Sequence, residues 1–206
     1  MKTKIFALVM LIFASLGLLA QSGGGGYFLT GYTYFPKIPQ MNTSIQGVNN
    51  SLPQGIGVMG GGGYAIFNGF VIGGRGMGSS FMNNIDIPEV TAEYTFGGGE
   101  FNLGHVLFYN KSLLSFVYLG IGGYSYGVEI NNSGTQTIDL NSVVVSPGAT
   151  VNYEYQSFTL TGGVSLKLVK FTGFDLGLDI SYIYPVSGAY QTVMFGLTLG
   201  GLGVGK

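Results

Sequence analysis

The chain has 206 residues, a formal net charge of -1 and charged side chains at only 8% of positions, against about a quarter in ordinary soluble domains. So few charges argue against an ordinary water-dispersed surface, and a near-neutral balance without a basic cluster argues against a nucleic-acid partner. Cysteine is absent, which removes disulfides, thiolate chemistry and cysteine metal sites together.

The chain opens with Lys2 and Lys4, an almost wholly apolar stretch from Ile5 to Leu16, and Leu18-Leu19-Ala20 as the cleavage region. That order is an export signal over residues 1–20, too short for a spanning helix. No cysteine follows it, so a lipid anchor is not expected. About 185 residues remain, one domain over 21–206 by length. No later apolar run reaches the roughly 20 residues that a spanning helix needs. The chain is too uncharged for water and too interrupted for helices, which leaves a closed barrel, where every backbone group is paired.

Eight strands are expected in chain order: Gly24–Tyr34, Gly55–Phe67, Phe70–Ser79, Thr91–Phe108, Leu113–Val128, Val151–Val169, Phe174–Tyr184 and Gln191–Val204. Their apolar residues recur with period two, the spacing that puts alternate side chains on opposite faces. It is cleanest late in the chain, where Phe174, Leu176, Leu178, Ile180, Tyr182 and Tyr184 oppose Asp175, Gly177, Asp179 and Ser181. Short connections at Asn68-Gly69, Asn110-Lys111 and Lys170–Gly173 alternate with long ones near Phe35–Gln54, Ser80–Val90, Glu129–Thr150 and Pro185–Tyr190. Alternating tight turns and long loops are the sequence signature of an all-β, eight-stranded antiparallel up-and-down transmembrane β-barrel. An exported chain then places its long loops outside and its tight turns in the periplasm. The run Ile138–Val145 is expected to extend barrel strands above the membrane.

Three finer expectations follow from parity. In the fourth strand, Tyr94 and Phe96 are even-numbered whereas Phe101, Leu103 and Leu107 are odd, so a β-bulge at Gly97-Gly98-Gly99 is expected to absorb the slip. Gly57, Gly61, Gly63, Gly74, Gly76 and Gly78 are expected to line a tight interior. Arg75, Glu93, Glu100, Lys167, Asp175 and Asp179 are expected inside, as a paired polar network, because an unpaired buried charge is costly. Eight strands leave a lumen that side chains nearly fill, so a wide channel is not expected.

Aromatic residues gather at both ends of the strands. Phe67, Phe70, Phe108, Tyr109, Phe171 and Phe174 lie beside the short turns; Tyr34, Phe35, Tyr94, Tyr124, Tyr126, Tyr153, Tyr155, Tyr182, Tyr184 and Tyr190 lie toward the long loops. Two interfacial girdles are the expected reading.

The pattern resembles the small eight-stranded bacterial outer-membrane barrels, the OmpA-like and OmpX-like class, over the whole mature chain. Gly61-Gly62-Gly63-Tyr64-Ala65-Ile66-Phe67-Asn68-Gly69-Phe70-Val71-Ile72-Gly73-Gly74 looks like barrel proteins of that kind. The resemblance implies outer-membrane lipids and the barrel-assembly machinery as partners. Such barrels commonly end in an aromatic residue, whereas this chain ends Leu202-Gly203-Val204-Gly205-Lys206, with Phe195, Leu197 and Leu199 as a partial substitute.

Chemistry is sparse. His105 is the single histidine, and parity puts it with Phe101 and Leu103 on the lipid side, away from Glu100. A histidine-based lipid-modifying site needs a nucleophile and an orienting group within reach, so no catalytic residue is expected. Metal-ligand spacing and phosphate-binding loops are missing from the sequence, and no metal or cofactor is expected. The expected role is non-enzymatic, envelope-structural or surface-interacting, with the long loops as the place for a surface partner. The alternatives are a narrow pore or carrier, a lipid-modifying barrel enzyme, and a secreted soluble barrel with a small ligand.

Overall fold

A computed structural model describes residues 22–37, 55–84, 89–110, 112–139, 144–171, 174–188 and 191–204. The export signal and its boundary lie outside these described residues. Ten strands are present: β1 (Ser22–Lys37), β2 (Gly55–Phe67), β3 (Phe70–Asn84), β4 (Val90–Tyr109), β5 (Leu113–Asn132), β6 (Ile138–Asp139), β7 (Val144–Val145), β8 (Thr150–Phe171), β9 (Phe174–Pro185) and β10 (Gln191–Val204). Eight of them close a barrel in the order β1-β10-β9-β8-β5-β4-β3-β2, with every neighbouring pair antiparallel. Each expected strand is present, and β2 and β10 match the expected bounds.

The turns follow from their residues. Asn68 and Gly69 both have positive φ, 49° and 81°, the geometry of the two-residue hairpin turn that Asn-Gly favours. At the next tight turn, Asn110 Oδ1 accepts from the backbone N–H of Ser112 and of Leu113, both at 2.8 Å.

The outer surface carries an apolar belt. Leu119, Leu178, Leu197 and Leu199 are all more than half exposed, and Phe101, Leu103, Leu160 and Ile180 share that face. Such a surface is unfavourable in water and suits hydrocarbon. Strands of 12–14 residues in β2, β9 and β10 suffice for a tilted crossing of about 9–11 residues. By contrast, β4, β5 and β8 run to 20, 20 and 22 residues and, with β3 paired to β4 as far as Asn84–Thr91, rise beyond β9 at the long-loop end.

Three expectations are corrected. The ladder runs unbroken through Gly97-Gly98-Gly99 on both sides, and the register shift in β4 falls at Val106–Phe108 instead. The phase never changes across those glycines, because Tyr94 and Phe96 point inward while Phe101 and Leu103 point outward. An aromatic lumen makes apolar residues occupy both faces in turn, which imitates a slip. Gly57, Gly61, Gly63, Gly74, Gly76 and Gly78 share parity with outward-facing Met59, Phe67, Phe70 and Ile72, so they lie on the outer wall rather than inside. Finally, β6 and β7 pair only with each other as a separate hairpin and do not lengthen the barrel strands.

Candidate functional site

Inside the barrel, two apolar clusters enclose a polar layer. Toward the long loops, Leu29, Phe35, Phe96, Tyr124, Tyr126 and Met194 belong to one buried cluster. Phe35 meets Phe96 edge-on at 5.5 Å, and Phe96 stacks on Tyr124 at 5.4 Å. Toward the tight turns, Tyr64, Ile66, Val71, Val106, Leu114 and Phe116 form the other.

The layer between them is built from strand parity. Inward positions of β3, β4, β8 and β9 bring Arg75, Glu100, Lys167, Asp175 and Asp179 together, each at most 7% exposed. Arg75 Nη1 donates to Asp179 Oδ1 at 2.6 Å and Nη2 to Ser181 Oγ at 2.7 Å. Its Nε lies 2.8 Å from Glu100 Oε1, an ion pair by distance whose angle misses hydrogen-bond geometry. Glu100 also accepts from Thr161 Oγ1 at 2.5 Å, and Asp179 from Tyr118 Oη at 2.8 Å. Lower in the barrel, Lys167 Nζ reaches Asp175 Oδ1 at 3.3 Å and sits over the rings of Tyr27 and Tyr64, 4.5 and 4.9 Å from their centroids. Tyr64 Oη donates to Asp175 Oδ2 at 3.2 Å. Two cations thus face three carboxylates, and hydroxyl donors supply the rest of the stabilisation that a buried charge requires.

Small residues make room for these groups. A Cβ on Gly120 would stand 3.2 Å from Glu100 Cδ and against Asn102 Oδ1. On Gly177 it would stand 3.0 Å from Lys167 Cγ and against Thr198 Oγ1.

Five of the six expected lumen charges meet here, and Glu93 does not. It lies at an outward position of β4, half-buried, where Ser80 Oγ donates to it at 2.5 Å. Parity already places Ser181 on the face of Asp175 and Asp179, whereas the hydroxyl partners Tyr64 and Tyr118 are not apparent from sequence. Inward apolar residues flank Tyr118 in β5 while Leu119 and Ile121 point outward, so polarity alternation marks neither face.

The girdle expectation divides. Phe67, Phe70, Phe108, Phe174, Tyr182 and Tyr184 are exposed on the outer wall. Phe35, Tyr94, Tyr124 and Tyr126 are instead buried inside, and Tyr109 packs against the inner cluster near the turns. The side chains of Phe171, Tyr153 and Tyr190 lie outside the described set. His105 keeps the expected outward register, opposite Phe70 and Val117, but it is covered: it is 2% exposed, with its ring edge-on to Phe70 and its Nδ1 2.8 Å from the Val106 carbonyl. That contact puts the proton on Nδ1, so the nitrogen donates to backbone.

The long-loop end has its own electrostatics. Glu89, Glu93, Glu129 and Glu154 lie there.

No protein-family model matches the chain, and no curated protein matches it. Solved structures do. The attachment invasion locus protein Ail of Yersinia pestis superposes with a TM-score of 0.57 at 10% identity, over 90% of this chain and 100% of that one. Its complex with the heparin analogue sucrose octasulfate gives 0.53 at 11%, over the same shares. Neisserial surface protein A gives 0.45 at 9%, over 88% and 94%. The ring of eight antiparallel strands, the apolar belt and the superposition on Ail lead to one conclusion: the chain has the fold of the small eight-stranded bacterial outer-membrane β-barrels.

Proposed function

We propose that this barrel is non-enzymatic, closed to solutes, and active through its long-loop end as a surface-interaction or envelope-structural protein. The carrying observation is the packing of the lumen, where an ion-paired layer lies between two apolar clusters. Opening a path through it means separating buried ion pairs, a large cost. The non-enzymatic reading draws on His105, whose Nδ1 serves a backbone carbonyl, whereas a catalytic histidine uses that nitrogen for an orienting group. On this reading the tight turns face the periplasm, lipids surround the belt and the barrel-assembly machinery inserts the chain.

The heparin analogue bound by Ail is a polyanion, and it does not suit an end dominated by carboxylates. The partner class here differs accordingly. A narrow pore is the second reading, favoured by the polar layer itself. Recording planar-bilayer conductance for the wild type, Arg75→Gln and Asp179→Asn separates the two. Silence in all three supports the closed barrel, and resolved steps altered by either substitution support the pore. The surface role is tested by comparing cells with and without the barrel for adhesion to polypeptide-coated surfaces, where a difference is expected.

A further inference from the structure

Glu100 and Asn102 lie two residues apart on β4, so both side chains point into the lumen, where they are 7% and 8% exposed. Across the ladder from Asn102 stands Gly120 of β5, and across from Gly120 stands Thr161 of β8. Gly120 has no side chain, and the two β4 side chains stand over its bare Cα. The point that a Cβ would occupy there lies against Asn102 Oδ1 and 3.3 Å from Glu100 Oε1. Two acceptor oxygens therefore converge on one spot. Among the described residues neither accepts a hydrogen bond, and neither has surface that a water could reach. Buried acceptors that face each other with no donor between them are costly.

Charge points the same way. Lys167 pairs with Asp175, which leaves Arg75 alone between Glu100 and Asp179. One net negative charge thus falls on the Arg75 cluster. The Nη groups of Arg75 serve Asp179 and Ser181, while its Nε meets Glu100 off the hydrogen-bond angle. Thr161 Oγ1 donates to Oε2 of Glu100, not to Oε1. Glu100 is the less compensated carboxylate, and an uncompensated charge is expensive in such an interior. The chain has no further ammonium to offer, because Lys167 Nζ is engaged with Asp175 and Thr198. A single positive charge above Gly120 would satisfy the two oxygens and neutralise the cluster. A divalent ion would leave the cluster positive and needs six or more oxygen ligands.

We propose that the lumen binds one small monovalent cation, of the size of Na+, between Asn102 Oδ1 and Glu100 Oε1 above Gly120, taken up as the barrel closes. Amide and carboxylate oxygens are the ligands that hard cations take. Asn102 also lines an enclosed cavity of about 20 Å³ together with Ser165 and Asp179, room for one water as a further ligand.

The test unfolds and refolds the purified barrel in urea and detergent, in NaCl or in N-methylglucamine chloride at equal ionic strength. The organic cation is too large for the site, and the compact gel band reports the folded fraction. At a fixed urea concentration near the midpoint, saturating Na+ is expected to raise the folded-to-unfolded ratio of the wild type at least about tenfold, as for any ligand bound only by the folded state. Glu100→Gln removes the net charge and supplies an amide donor for Asn102 Oδ1, so equal ratios in the two salts are expected. Tyr118→Phe weakens the same layer through Asp179 without touching either oxygen, and it is expected to keep the full Na+ response. Equal ratios in the two salts for the wild type overturn the proposal, since the oxygens are then satisfied by a proton or a turned amide. An undiminished Na+ response in Glu100→Gln overturns the site. Should Glu100→Gln give no compact band, Asn102→Leu takes its place: it removes the amide ligand, loss of the Na+ response is expected, and an undiminished response overturns the site equally.

Discussion

Arg75 bonds to Asp179 and Ser181 and pairs with Glu100 within a fully enclosed layer, so its removal strands two carboxylates in a low-dielectric interior. Arg75→Met is expected to cost about 3–5 kcal/mol, read as a lower urea midpoint for loss of the compact gel band. Tyr118→Phe removes one hydroxyl donor to Asp179 and is expected to cost about 1–3 kcal/mol in the same assay. Glycines behave differently according to face. Gly177→Val forces a side chain against Lys167 and Thr198 and is expected to cost about 1–3 kcal/mol through overpacking. Gly76→Ala adds a Cβ at an ordinary 3.5 Å from the Gly98 carbonyl on the outer wall, and its midpoint is expected to stay level or rise. Sequence parity identified the charged partners of Arg75 but not which glycines face them, because glycine has no polarity to show its face.

At the scale of the element, hairpins and staves were legible where local chemistry is decisive. Asn-Gly at 68–69 demands positive φ at both residues, and the chain adopts it. Gly69→Ala, held at φ 81°, is expected to cost about 1–2 kcal/mol as left-handed strain, measured as a lower midpoint and a slower gain of the compact band on refolding. β4 was less legible. Its inner face is aromatic above, at Tyr94 and Phe96, and polar below, at Glu100 and Asn102, while its outer face is polar above, at Glu93 and Thr95, glycine at 97 and 99, and apolar below. Hydrophobicity changes parity midway although the backbone does not, and a misplaced bulge was the consequence. The real irregularity, at Val106–Phe108, lies beside buried His105, where two consecutive residues, Leu107 and Phe108, both face outward.

For the whole molecule, the belt and the raised sheet make separable predictions. Leu178→Arg places a charge mid-belt and is expected to cost about 2–4 kcal/mol in lipid. Asn152→Arg, above the belt on the raised part of β8, is expected to leave the midpoint unchanged. Equal midpoints for the two would contradict a membrane around the outer wall. The layered lumen also predicts cooperative loss: the two apolar clusters and the ion pairs span strands distant in sequence, so a single unfolding transition is expected by tryptic protection of the compact band.

Local chemistry alone specified the number of barrel strands, their antiparallel succession, the tight turns and the transmembrane class. Period-two spacing, turn residues and scarcity of charge are local properties, readable without neighbours. It also determined which charges would be buried on β3, β8 and β9, where one face is plainly apolar. What fills the barrel follows from its closure. Closure brings Tyr64, Tyr118 and Thr161 to carboxylates far away in the chain, turns Phe35, Tyr94, Tyr124 and Tyr126 inward, and sends Glu93 and six glycines outward. The physical reason is that a narrow lumen is packed like a core, so inside and outside are both apolar, and only the ring of partners around each position tells the two faces apart.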